Sequence, residues 1–97
     1  MILRERDTPK GLLVSVCDTG LIGETFENGS VSLTVSEEFY GGESASPEEV
    51  VDSLARAQVA NIVGIRSVEL AVEHGFIDDA HVLEIGDTRH AQMLRMG

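Results

Sequence analysis

SPEEVVDSLARAQVANIVG, Ser46 to Gly64, is the stretch on which the reading of this chain turns. Ser46 can accept a hydrogen bond from the Glu49 backbone while the Glu49 side chain reaches back to the Ser46 N–H, the reciprocal arrangement of a capping box. Pro47 falls on the first helical position, where an N–H would be unpaired anyway. Beyond it Val51, Leu54, Ala55, Gln58, Val59 and Ile62 recur at intervals of three and four. That spacing predicts a helix running to about Val63, with Gly64 ending it. A second helix follows, with Ile65, Val68, Ala71 and Val72 on one face and His74-Gly75 at its close.

Strand signals flank this helical centre. Ile2 to Arg6 and Leu12 to Cys17 read as a hairpin joined through Asp7-Thr8-Pro9-Lys10-Gly11, with Leu12, Val14 and Val16 sharing a face. Asn28-Gly29 is a two-residue hairpin signal that sets Phe26 opposite Val31 and turns Val31, Leu33 and Val35 inward. Between them Asp18 can cap a short helical turn through Gly20 to Gly23, and Leu21 to Phe26 suits helix or strand alike. At the C-terminal end Val82 to Ile85, a Gly86-Asp87-Thr88 turn and His90 to Arg95 form another hairpin. The expected fold is α+β, a single domain over residues 1–97 in which β-hairpins flank a central pair of helices packed on a mostly antiparallel sheet.

Composition limits the function classes. Three Phe, one Tyr and no Trp leave the core to Val, Leu, Ile and Ala. Apolar runs such as Gly11 to Cys17 and Val59 to Ile65 are far shorter than the roughly 18 residues of a membrane span. The N-terminal residues Met-Ile-Leu-Arg-Glu-Arg have no leader pattern, so the expected location is cytoplasmic, with no membrane partner. Cys17 is alone and lies in an apolar run, which reads as a buried small hydrophobe without disulfide or metal duty. Seventeen acids face seven bases, six of them Arg, for a net charge of −10. Such a balance is that of a salt-adapted, halophilic protein, because carboxylates hold water and repel one another. In molar salt the Debye length falls to roughly 3 Å, so this acidity lowers the case for nucleic acid without removing it.

Several blocks stand out together: Val14-Ser15-Val16-Cys17-Asp18, Leu21-Ile22-Gly23-Glu24-Thr25-Phe26 and Val35-Ser36-Glu37-Glu38-Phe39-Tyr40-Gly41-Gly42, then Ala60-Asn61-Ile62-Val63-Gly64, Val68-Glu69-Leu70-Ala71 and His90-Ala91-Gln92. In these blocks the chain resembles the archaeal family known as domain of unknown function 424. The resemblance runs from about Leu12 to Met96. It implies an archaeal, intracellular α+β protein and brings no catalytic assignment; a link with translation or RNA processing is what the family's breadth suggests.

Three segments carry candidate contacts. Phe39-Tyr40-Gly41-Gly42 reads as a recognition loop, since Tyr40 offers a flat, partly polar surface and the glycines allow close backbone approach; the plainer reading makes the aromatics a plug for the core. Asn61, Gly64 and Arg66 lie at the expected junction of the two helices, where Arg66 near a helix start could hold an anion, or simply pair with Glu69. His90 and Gln92 fall two apart on the last strand, facing the same way, and could read a base edge or move a proton. No phosphate loop, dinucleotide fingerprint, serine elbow or zinc spacing is present, and His74, His81 and His90 lie in three different elements, so no cofactor and no metal are expected. Glu37, Glu38, Glu43, Glu48, Glu49 and Asp52 form an acidic stretch that reads as a solvated face or a dock for a basic tail.

These features point to a non-enzymatic interaction module contacting a protein or RNA partner, with the translation machinery as the implied setting. The alternative is a small enzyme with His90 as general base, Tyr40 or Asn61 orienting the substrate and Arg66 holding its anionic group. A third arrangement is a homo-oligomer formed where the strand edge at Ile2 to Arg6 pairs with its own copy.

Overall fold

The computed structural model describes residues 1–95. Its strands are β1 (Ile2–Thr8), β2 (Gly11–Cys17), β3 (Thr25–Asn28), β4 (Val31–Thr34), β5 (Glu43–Ser44), β6 (Val59–Val63), β7 (Leu83–Ile85) and β8 (Thr88–Leu94). Three helices, α1 (Glu37–Tyr40), α2 (Pro47–Arg56) and α3 (Ile65–Glu73), and a 3-10 turn at Asp79–His81 complete the described residues. The main sheet runs β5-β1-β2-β6-β8-β7, and β3-β4 form a separate hairpin. Pairing is antiparallel throughout except between β2 and β6. This is the expected α+β architecture of hairpins around helices on a mostly antiparallel sheet.

The helix expected from Ser46 to Val63 is shorter. Its start is as read: Ser46 Oγ accepts from Glu49 N at 3.2 Å and Glu49 Oε1 from Ser46 N at 2.9 Å. α2 nevertheless stops at Arg56, and Val59–Val63 become β6, a central strand between β2 and β8. Val59, Ile62 and Val63 satisfy helical spacing, but they are β-branched and suit a pleated surface. As helix they would leave β2 and β8 unpaired along their inner edges, with buried N–H and C=O groups facing nothing. The two longer helices are therefore not consecutive. They meet on one face of the sheet, where Val50, Leu54, Val68 and Ala71 pack with Val14, Val16, Ala60, Ile62, Ala91 and Met93.

The opposite face carries a second cluster, in which Cys17 and Val63 pack with Val35 and Tyr40 beneath α1 and the β3-β4 hairpin. Two expectations about that hairpin are corrected. Phe26 pairs with Leu33 and Val31 with Asn28, because the turn is Gly29-Ser30, with Gly29 at φ +65°. Asn28 stays in the strand and its side-chain amide donates to the Glu84 carbonyl at 3.3 Å, tying the hairpin to β7. Val31 is consequently 50% exposed, whereas Val35 is fully buried.

Asp18 is a cap, but for a different helix. The turn after β2 forms, with Leu21 N bonded to the Asp18 carbonyl. Its carboxylate crosses to α3, accepting from Arg66 N at 3.0 Å, Ser67 N at 2.8 Å and Ser67 Oγ at 2.6 Å. Parallel pairing of β2 and β6 makes this possible, since it sets the residue after Cys17 beside the residue after Val63. Leu21 to Phe26 resolves into turns followed by β3 from Thr25.

Candidate interaction face

Cross-strand register sorts the sheet face opposite α2 and α3 into three rows. The first is Ile2, Cys17, Val63, His90 and Leu83; the second is Arg4, Ser15, Asn61 and Gln92; the third is Arg6, Leu13, Val59 and Leu94. Residues directly opposite in neighbouring strands point the same way, so each row is a continuous ridge. No member of any row is acidic, in a chain with 17 Asp and Glu.

The covering layer lies over the first row, and α1 extends it to Arg4 and Arg6 of the other two, while Ser15 of the second row is only 2% exposed. Cys17 and Val63 of the first row are fully buried and Ile2 packs against them. Burial, and secondarily the Asp18 charge, pushes the Cys17 thiol up to about 11. Leu13, Val59 and Leu94 of the third row pack into neither hydrophobic cluster, and Leu94 is 65% exposed. Gln92 is exposed and Asn61 half-buried beside it. His90 is half-buried at the border between covered and open regions, and that burial holds its imidazole below the usual range.

Of the nine residues singled out from sequence, Asn61, His90 and Gln92 therefore share one face, Asn61 as a strand residue and not at a helix junction. Tyr40 is only 4% exposed; burial, and then the Cys17 charge, pushes its hydroxyl up to about 12. Phe39 is half-buried, meets Tyr40 edge to face at 5.0 Å and lies under the Arg6 guanidinium at 5.1 Å. The segment read as a loop from Glu37 begins with the single-turn helix α1, capped by Ser36. Its last carbonyls are satisfied from the sheet: Arg4 Nη1 donates to Glu38 O at 2.7 Å and Gly41 O at 3.2 Å, and Arg6 also donates to Glu38 O. Gly41 and Gly42 are bare for packing reasons, since a Cβ at either would collide with the Glu37 or Leu3 carbonyl.

Gly64 and Arg66 stand at the start of α3, where the Asp18 carboxylate already takes the backbone N–H groups an anion would use. Two grooves, of about 660 and 580 Å³, flank α2, and neither is lined by His90, Tyr40 or Arg66. Among the described residues no cluster of three or more His, Cys, Asp or Glu could hold a metal ion, and no helix is long and apolar enough to cross a membrane.

Leu13, Ser15, Val59, Leu94 and the two arginines were not among the residues picked from sequence. Alternation along β1, β2 and β8 contains the signal, but the rows join only once β6 is recognised as the strand between them.

The model of the family described as Protein of unknown function (DUF424) matches residues 5–96. No curated protein matches the chain. Among solved structures, the crystal structure of an uncharacterized conserved protein from Methanopyrus kandleri is similar in fold, with a TM-score of 0.80 and 23% sequence identity over 99% of this chain and 93% of that one.

Proposed function

The chain belongs to this family of proteins of unknown function, and from that premise we propose that it is a non-enzymatic binding module whose open sheet face docks a partner protein. One observation carries the reading: Leu13, Val59 and Leu94 form an apolar ridge outside both core clusters, on a face without a carboxylate, in a chain of net charge −10. An apolar ridge with Asn61, Gln92 and His90 along one side combines the apolar and polar groups that protein interfaces bring together. RNA is the weaker occupant. The open rows hold no aromatic ring on which a base could stack, and both arginines are already engaged on the carbonyls of α1. Catalysis by His90 would call for Tyr40 and Arg66 around the same cleft, and neither groove beside α2 brings them together.

Photo-crosslinking tests the proposal, with the reactive residue installed at position 92 or 94 and, as control, at exposed His81. Adducts to one protein species from positions 92 and 94 alone are the expected result. Equal labelling from all three positions, or adducts to nucleic acid, would remove it. A translation partner, as the family resemblance implied, would be recovered as an adduct to a ribosomal protein.

A further inference from the structure

β1 is covered along one side by β2, but on the other by a strand of two residues. β5 pairs only with Ile2 and Leu3, so from Glu5 to Thr8 the outer edge has no strand partner among the described residues. Met1 and Ala45 exchange hydrogen bonds across that side, and strand alternation turns the N–H and C=O of Glu5 and Asp7 the same way. Beside this edge runs the 660 Å³ groove between β1, β5 and α2, lined by Glu5, Glu43, Glu48, Glu49 and Asp52 against Arg4 and Arg56.

Charge along the edge alternates with the pleat. Arg4 and Arg6 pair with Ser15 and Leu13 on the open face, whereas Glu5 and Asp7 pair with Val14 and Leu12 on the helix side. A second copy adding antiparallel about a two-fold axis normal to the sheet keeps both faces, so only residues of the same face can stand opposite one another. Every such register sets Arg against Arg and acid against acid wherever the charged residues meet, which is destabilising. The edge refuses its own copy in that arrangement. A heterologous strand with cations on the helix side meets Glu5, Asp7 and the groove carboxylates instead.

We infer that the β1 edge from Glu5 to Thr8 docks an extended segment of another protein, added as a strand, with Lys or Arg at alternate positions facing the groove. Backbone hydrogen bonds supply the register and the carboxylates supply the choice of side chain. Arg56, held on Glu5 Oε2 at 2.5 Å, occupies in the free protein the position such a cation would take.

The probe is a capped octapeptide of alternating Thr and Lys, compared with the same peptide N-methylated at alternate residues and with alternating Thr and Glu. Binding is read by amide shifts in the full chain. The Lys peptide is expected to shift Glu5 to Thr8, and N-methylation, which keeps every charge and deletes the strand donors, to weaken it about tenfold or more. Asp7→Lys should weaken it too, while Glu84→Lys, on a different strand, should not. Equal affinity of the N-methylated peptide, or shifts that bypass β1, would overturn the inference. So would light scattering that finds a dimer in which the outward amides of Glu5 and Asp7 are protected.

Discussion

Gly64 is bare because the Asp18 carboxylate fills the space its side chain would need. The glycine has φ +119°, and a Cβ there would stand 2.5 Å from Asp18 Oδ1. One residue is kept small so that another, 46 positions earlier in the chain, can cap α3.

Asp18→Ala should lower stability by about 1 kcal/mol, the usual worth of an N-cap. Gly64→Ala should cost about 1–3 kcal/mol through strain and collision. The double variant should lose less than the sum, because the collision partner of the new methyl is gone. Urea midpoints of the four proteins check this; strict additivity would mean that the two residues do not share the space.

Tyr40→Ala should cost about 3–5 kcal/mol, as for other large buried rings. Leu94→Ser, at a position 65% exposed, should stay within about 0.5 kcal/mol of the parent. Partner binding lost in the first variant alone reports folding; lost in the second, it reports contact. Denaturant titration beside the crosslinking assay separates the two.

His90 should make part of the pH dependence. Its native pKa is depressed by burial, so as pH falls below the unfolded value of about 6.5 the unfolded chain takes a proton that the native chain resists. Stability therefore drops through that window and levels off below the native pKa. His90→Gln should flatten this portion of the curve, measured as urea midpoints between pH 5 and 7.5. An unchanged slope would mean that His90 is free to charge in the fold.

The thiol of Cys17 should be nearly inert in the native state. With its pKa at about 11 and no exposed surface, reaction with an aromatic disulfide at pH 8 should be roughly a hundredfold slower than in urea. Native labelling at the unfolded rate would place the sulfur outside the core.

Local signals in the sequence were reliable where one interaction decided the outcome. The Ser46-Glu49 box, the alternation of Leu12, Val14 and Val16 and the turn before His90 each needed only neighbours. β6 was hidden because Val59 and Ile62 fit helical spacing and strand propensity together, and what decides between them is the inner edge of β2, more than forty residues away. Asp18 was recognised as a cap, yet its helix lies across that parallel pair, out of reach of any local pattern. Of the candidate face, His90 and Gln92 were legible from their own strand, while Asn61, Leu13 and Val59 needed β6 before they could be aligned.

That parallel pair also orders events during synthesis. β1 and β2 can form a hairpin as soon as they leave the ribosome, but the inner side of β2 waits for Val59–Val63, and β8 is added later still. Closing so distant a contact is slow compared with making a hairpin. A nascent chain halted before residue 59 thus carries an apolar ribbon whose β2 margin is raw, the form of this protein most in need of a chaperone.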